Sequence, residues 1–397
     1  MRYIVRIDPA RKVEVTRKLQ EFGYTVVTQY FDMIEVEAPP DVTPTIRAIP
    51  GVIDVRAERP VEVMQIPVLK KLQTFLEMDP ISALRFSVEE TKERFPTSES
   101  RRMLGADQAD EEGINGKGVR IMVLDTGPDF FSPQLPFATG ESTVDGQPLA
   151  FDENGHHSHV ATTIAGRELP TLFGLIKGVA PDAELLHVKV LGYGIGTGSN
   201  TDVLEGMMRA FAERVDVVNM SLGSKECELG IAKGCEVCPT CRAVRMLSNE
   251  GICIVVANGN EGGNQQGCPA CEDTAISVGA IDRNGKIADF SSRGVKIGKP
   301  DVVSPGVFIL SSTCGLIDLM QALDGPKLGS CSGTSMAAPG VSGLLALWKQ
   351  YLRETKGIEL TPVIAKEIFS RYGKPWDPVY GYGIPKYEWV KRYVEEV

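Results

Sequence analysis

Gly333-Thr334-Ser335-Met336-Ala337-Ala338-Pro339 sets a serine between a Gly-Thr turn and a run of very small residues. Directly after it, Val341, Leu344, Leu345, Trp348, Tyr351 and Leu352 recur at helical spacing, which places Ser335 at or near a helix N-terminus. Unpaired backbone N–H groups and the positive end of the helix dipole gather there and favour developing negative charge. Ala337, Ala338, Gly340 and Gly343 let such a helix approach neighbouring backbone closely, as a buried central helix requires. Gly-Thr-Ser is also a common helix cap. What separates a cap from a nucleophile is whether a base, an orienting carboxylate and an oxyanion donor occur elsewhere in suitable surroundings.

Upstream, from Gly118 onward, the pattern is one of alternating strands and helices. Residues 119–124, 185–190, 215–220 and 252–257 are short, nearly continuous apolar runs, as expected of parallel strands covered on both faces. Helical patterns over 159–167, 202–214 and 239–250 lie between and after them, so the fold class is α/β with a mostly parallel sheet. In such sheets, sites gather beyond the carboxyl ends of the strands. Asp125 follows the first strand in Val123-Leu124-Asp125-Thr126-Gly127. His156 opens a helix in Asn154-Gly155-His156-His157-Ser158-His159, which holds three of the four histidines. Asn260 follows a strand in Ala257-Asn258-Gly259-Asn260-Glu261-Gly262. Taken singly, the Asp and Asn segments read as turns, and His156 with His159 at i, i+3 also fits a metal pair. Together with Ser335 they complete the set a nucleophilic serine needs.

The first hundred residues have another texture. Strand patterns at 2–8, 24–30, 33–37 and 52–63, with helical patterns at 11–22 and 42–49, give the order βαββαβ of a small α+β, ferredoxin-like domain. Residues 66–101 are polar and carry many charges. The expected organisation is therefore a domain at 1–65, a linker at 66–101, and an α/β domain at 102–397.

The chain has 397 residues, 43% hydrophobic and 24% charged, a soluble globular composition. A net charge of -10 argues against nucleic acid or an anionic membrane as partner. No apolar run approaches the roughly 18 residues that span a bilayer. The start, Met1-Arg2-Tyr3-Ile4-Val5-Arg6, lacks the pattern of a signal peptide, so the default expectation is a cytoplasmic protein, or a secreted one if a leader was trimmed.

From about residue 102 the chain resembles the subtilisin-like serine proteases. The blocks that carry the resemblance are 118–127 ending in Asp125-Thr-Gly, His156-His-Ser-His-Val-Ala, Gly178-Val-Ala-Pro181, Val217-Val-Asn-Met-Ser221-Leu-Gly223, Ala257-Asn-Gly-Asn260-Glu-Gly, Phe290-Ser-Ser-Arg-Gly, Lys299-Pro-Asp-Val-Val-Ser-Pro-Gly306 and Gly333-Thr-Ser335-Met-Ala-Ala-Pro339. The resemblance implies a serine endopeptidase, with Ser335 as nucleophile, His156 as base and Asp125 as its orienting carboxylate. Asn260 and the Ser335 backbone N–H would hold the oxyanion. Gly196-Thr197-Gly198 and Ser221-Leu222-Gly223 would pair with an extended protein or peptide substrate, and Ala257-Asn258-Gly259 would line the pocket before the cut. Residues 1–64 resemble the family's inhibitory propeptide, which implies a self-processing zymogen with its own propeptide in the cleft and Met64–Gln65 as the bond cut. The competing class is a catalytically silent subtilase fold used for binding or regulation.

Three departures qualify the resemblance. His157 and Thr162 stand where the family has glycines, and Gln134 stands where a calcium aspartate is expected. With a loop at 167–177 poor in carbonyl-bearing side chains, a calcium requirement is doubtful and no cofactor is called for. Nine cysteines are many for a cytosolic enzyme, and seven fall between Cys227 and Cys271. The pairs Cys238-Pro-Thr-Cys241 and Cys268-Pro-Ala-Cys271 leave three readings open: disulfides pinning the pocket rim, a Cys₄ zinc site, or thiols. Cys253 reads as core packing, and Cys331 could pair with Cys314.

Overall fold

Both the small and the large sheet follow from where apolar side chains alternate and where they do not. The structure, a computed structural model, describes residues 1–58, 60–63, 94–135, 139–224, 238–263, 266–294, 298–314 and 327–397. The N-terminal part runs β1 (Arg2–Ile7), helix Lys12–Glu21, β2 (Thr25–Tyr30), β3 (Met33–Glu37), helix Thr43–Arg47 and β4 (Val52–Ala57). Its antiparallel sheet has the order β2-β3-β1-β4. One face, with Tyr3, Val5, Ile34, Val36 and Val55, buries against Val15, Leu19 and Ile46 of the two helices. This is the βαββαβ plan expected from the sequence.

The run at 52–63, expected as one strand, divides. Pro60 has no N–H to continue a ladder, and the Glu58 carboxylate turns instead to accept the backbone N–H of Thr201 at 3.3 Å. The remaining stretch, β5 (Pro60–Val63), leaves the small sheet. It lies between two strands of the large domain, described below.

The large domain continues with β6 (Phe95–Pro96), β7 (Arg120–Asp125), β8 (Gly140–Ser142), β9 (Leu169–Thr171), β10 (Gly174–Ile176), β11 (Glu184–Lys189), β12 (Thr197–Ser199), β13 (Val217–Met220), β14 (Leu222–Gly223), β15 (Cys253–Ala257), β16 (Ile276–Ile281), β17 (Val302–Pro305), β18 (Ile309–Ser312) and β19 (Leu328–Cys331). Seven of these form a parallel sheet in the order β17-β16-β15-β13-β7-β11-β8. Along β7, Ile121 and Val123 enter one core while Met122 and Leu124 enter another, so both faces are covered. The first core holds the helices His156–Ala165 and Thr334–Lys356; the second holds Asn200–Ala212 and Pro239–Asn249. The chain passes to one side of β7 for β11 and β8, then to the other for β13 to β17. The reversal opens a crevice at the carboxyl end of β7, where Asp125 sits.

The serine helix, Thr334–Lys356, is longer than its apolar pattern and begins one residue before Ser335. Pro339 lies inside it and has no N–H for the carbonyl four residues back. That carbonyl belongs to Ser335, and the Ser221 hydroxyl donates to it instead, at 2.9 Å. The proline therefore costs no buried acceptor, because a side chain from beside β14 replaces the missing donor.

The second face of the small sheet meets the large domain. Ile4, Tyr30 and Met33 share the core of Val203, Met207, Val244 and Leu247. Arg242 holds Asp32 with two hydrogen bonds, Nε to Oδ1 at 2.8 Å and Nη2 to Oδ2. Glu35 is fully buried at this junction, accepting from the Tyr30 hydroxyl at 3.0 Å with Arg2 at 3.3 Å. Burial pushes its carboxyl up to about 7, against the pull of Tyr30 and Arg2 and helped by Glu58 and Glu205 nearby. A carboxyl raised on folding keeps its proton where the unfolded chain has lost it, so stability falls as pH rises from the ordinary 4.5 to about 7. Glu35→Gln removes that loss. Measured on full-length Ser335→Ala protein, its melting temperature relative to the Glu35 parent should rise between about pH 5 and about pH 8. A difference that stays constant with pH would show that Glu35 does not titrate there.

Candidate active site

The carboxyl end of β7 and the first turn of the helix His156–Ala165 meet through Asp125. Asp125 is fully buried, and its Oδ1 lies 2.7 Å from His156 Nδ1. The same oxygen accepts the Thr126 backbone N–H at 2.7 Å. A carboxylate can only accept, so the proton of this contact sits on Nδ1 and the lone pair is left on Nε2. That Nε2 is buried and has no hydrogen-bond partner among the described residues.

Residues without a sequence signal of their own hold the histidine helix. Buried Asp152 accepts from Thr126 Oγ1 (2.8 Å), from the backbone N–H groups of Asn154 (3.2 Å), Gly155 (2.8 Å) and Ser158 (2.9 Å), and from Ser158 Oγ (2.6 Å). It thereby holds the turn before the helix and closes one orphan donor of its first turn, the Ser158 N–H, while the His156 N–H goes to Asn154 Oδ1 at 3.2 Å. Thr126 Oγ1 in turn accepts the His157 N–H at 3.0 Å, tying that start to the end of β7. Buried Lys189 donates to the carbonyls of Thr126 (2.9 Å) and Phe151 (3.0 Å) and to Glu153 (2.9 Å). The Asp-Glu-Asn-Gly turn at 152–155 was the only available hint of this frame.

His157, the departure beside the base, pairs with the fourth histidine. Its Nε2 is 2.7 Å from Nδ1 of His187 on β11, and both rings are buried. Burial lowers both, His187 to about 4 and His157 well below its ordinary value, so the pair is neutral at neutral pH. His159 points elsewhere, with Nε2 at 2.9 Å from the Ile309 carbonyl. His156 and His159 thus each spend one ring nitrogen on a separate partner, Nδ1 on Asp125 and Nε2 on the Ile309 carbonyl.

Asn260 is fixed from the serine helix. Its Oδ1 accepts the Thr334 backbone N–H at 2.9 Å and the Thr334 hydroxyl at 3.0 Å. An N–H donor on that side sets the amide orientation, leaving Nδ2 as the outward donor, and Nδ2 has no partner among the described residues. Gly259 donates to Thr334 Oγ1 at 3.2 Å, and its positive φ of 108° suits glycine. Asn258 is buried, donating to the Ser292 carbonyl at 2.6 Å and accepting from Gln266 at 2.8 Å. Ala257, at the end of β15, is buried as well.

The Ser335 hydroxyl donates to the Ser221 carbonyl at 2.9 Å, so the expected hydrogen bond to His156 is not made in this state. Ser221 and Ser335 thus exchange hydroxyl-to-carbonyl bonds in both directions. Gly196, with φ 73°, precedes the pairing and donates its N–H to the Gly192 carbonyl at 3.2 Å, while Thr197, Gly198, Leu222 and Gly223 sit where an extended segment pairs. That segment is β5. Thr197 and Gly198 pair antiparallel with Glu62 and Val61, while Leu222 and Gly223 pair antiparallel with Val63 and Glu62. A Cβ at Gly198 would lie 2.2 Å from the Val190 carbonyl, so this edge requires glycine. Met64 and Gln65 lie outside the described residues.

Gln134 donates to the Arg167 carbonyl at 2.8 Å and accepts from Ser312, so its amide links two loops. Cys253 is buried in β15, as expected. Cys314 forms no disulfide with Cys331; its thiol donates to the Asp152 carbonyl at 3.3 Å, and burial raises its pKa.

Residues 116–383 match the subtilase family. The chain belongs to that family, the subtilisin-like serine proteases. The M-protease of Shouchella clausii is 37% identical over 278 residues, 69% of this chain and 66% of its own length. Subtilisin Savinase of Lederbergia lenta is 38% identical over 245 residues, 62% of this chain and 81% of its own. The major intracellular serine protease of Bacillus subtilis is 35% identical over 271 residues, 66% of this chain and 76% of its own. Among the described residues of this subtilase, no helix is long and apolar enough to cross a membrane.

Proposed function

We propose that this subtilase is a serine endopeptidase made as a self-processing zymogen, with residues 1–65 as propeptide, 66–101 as linker, its last residues from β6 onward packed on the large domain, and 102–397 as catalytic domain. The observation that carries the reading is the 2.7 Å Asp125–His156 contact, which keeps the lone pair on Nε2. The Ser335 hydroxyl must leave the Ser221 carbonyl for that nitrogen, and such contacts are often loose before substrate arrives. Ser335 Oγ then attacks the scissile carbonyl as its proton passes to His156 Nε2. The imidazolium, stabilised by Asp125, returns that proton to the departing amine, leaving an acyl-enzyme. Water, deprotonated by the same nitrogen, releases the acid and restores Ser335.

The oxyanion falls to Asn260 Nδ2 and the Ser335 backbone N–H. Asn260→Ala should lower kcat about 10²–10³-fold with KM little changed, because the donor acts on charge that forms only in the transition state. Steady-state kinetics on a peptide substrate reads this; a change confined to KM would give Asn260 a ground-state binding role instead.

The pairing of β5 with β12 and β14 supports the propeptide reading, since a substrate strand would use the same two edges. Val61 is buried, and Met64, proposed before the bond cut, follows the paired residue Val63 directly. Protein and peptide substrates would enter after this strand withdraws. A fluorophosphonate probe tests the reading: it should label protein freed of residues 1–65 at Ser335, and pre-treatment with a serine-directed inhibitor should block labelling. No labelling of the freed domain would leave a silent subtilase fold.

A further inference from the structure

Four cysteine sulfurs converge at the start of the helix Pro239–Asn249, outside the catalytic constellation. Cys241 and Cys268 are 3.4 Å apart, Cys268 and Cys271 3.3 Å, and Cys241 and Cys271 3.9 Å, sulfur to sulfur. The sulfurs of Cys238, Cys241 and Cys268 all lie within 4.8 Å of one another. A disulfide needs about 2.05 Å. The edge of a ZnS₄ tetrahedron with Zn–S bonds of about 2.3 Å is about 3.8 Å, close to the three separations among Cys241, Cys268 and Cys271. We propose that Cys238, Cys241, Cys268 and Cys271 bind one Zn²⁺ as a closed tetrathiolate site.

Sequence, packing and electrostatics agree with this assignment. Each pair has two residues between its cysteines, Pro-Thr and Pro-Ala, the spacing with which one short turn presents two sulfurs to one ion. Cys238 caps the helix Pro239–Asn249 and Cys241 stands in its first turn, where the N-terminal dipole favours thiolates. Cys241, Cys268 and Cys271 are buried, and Cys238 is partly buried. In this structure Cys268 is joined in a disulfide whose partner lies outside the described residues. Once a phosphine or dithiol has supplied two electrons to reduce the Cys268 disulfide to thiols, binding replaces four thiol protons by one dication, leaving a net charge of two minus at that helix end. Zinc requires the reduced sulfur of Cys268, so the oxidised and metal-bound chains are mutually exclusive.

The site is placed to hold the cleft. Cys268 exchanges two backbone hydrogen bonds with Ser224, directly after β14, at 2.9 and 3.1 Å. Gln266, on the same loop, donates to Asn258 beside the proposed pocket. With four protein ligands and no open position the ion is structural, fixing β14 and the 257–259 segment relative to each other.

The test uses full-length Ser335→Ala protein, purified anaerobically with a phosphine reductant, so that its outcome does not depend on proteolysis. Metal analysis should find about one equivalent of zinc per chain, and Cys241→Ser and Cys271→Ser should fall below about a tenth. Cobalt(II) exchanged for the zinc should give the thiolate charge-transfer and tetrahedral d–d absorption bands, a readout on the parent chain that needs no cysteine variant to fold. Reduced parent protein that retains no zinc after equilibration with the ion, or a Cys268 disulfide that persists under these conditions, overturns the proposal.

Discussion

Replacing Ser335 by alanine is expected to lower kcat on a peptide substrate by about 10⁶-fold, the scale of loss known for subtilisin triads. It should also leave the purified chain intact from Met1, where the wild type is expected to lose its first ~65 residues under the proposed function. The two readouts rest on one atom: in the proposed function Oγ is the nucleophile for substrate and for the chain's own bond alike. Among the described residues nothing else at the site supplies a second one. His156 Nε2 is buried, and Cys314, whose thiol contacts Ser158 at 3.1 Å, is held protonated by burial. The fold should survive, because the Ser335 carbonyl, the group that compensates for Pro339, is untouched by the change. Intact-mass measurement beside steady-state kinetics reads both effects. Processing of Ser335→Ala at the wild-type position and rate would assign the cut to another protease.

Asp125→Asn is expected to cost about 10⁴-fold in kcat with the structure preserved. Asp125 Oδ1 accepts at once from His156 Nδ1 and from the Thr126 N–H, both at 2.7 Å. An asparagine with its oxygen at the Oδ1 position still accepts from both donors, and its NH₂ takes the place of Oδ2, which has no partner among the described residues. What is lost is the negative charge that stabilises the imidazolium formed when Nε2 takes the Ser335 proton, so His156 becomes a weaker base. The loss should therefore shrink as pH rises toward the range where hydroxide can do the work of the base. Losses in kcat that are equal at every pH, or a melting temperature far below wild type, would point to a disturbed site in place of a lost charge.

Much of this was legible from single short segments. Parallel strands buried on both faces must be apolar throughout, so β7, β11, β13 and β15 announced themselves within about two residues of their ends. β8, β16 and β17 did not. β8 is a three-residue edge strand, Gly-Glu-Ser, and β16 carries Ser277 and Gly279 in its middle. The single strand expected at 52–63 failed for a different reason. Its pattern is continuous, but its second half finds its partners in β12 and β14, on the other side of the interface.

The residue types that do chemistry were fixed by local sequence, because a nucleophile, base, carboxylate and amide must each stand at a strand end or helix start, and such places carry their own glycine-rich signatures. What surrounds them was decided by folding alone. The hydroxyl that answers Pro339 comes from Ser221, 114 positions from the Ser335 carbonyl that accepts it. The partner of His157 stands 30 positions away on another strand, and Cys241 meets Cys268 across 27. Each of these contacts satisfies a buried group whose need is visible in the sequence. The group that satisfies it is chosen by packing, and no local pattern carries that choice.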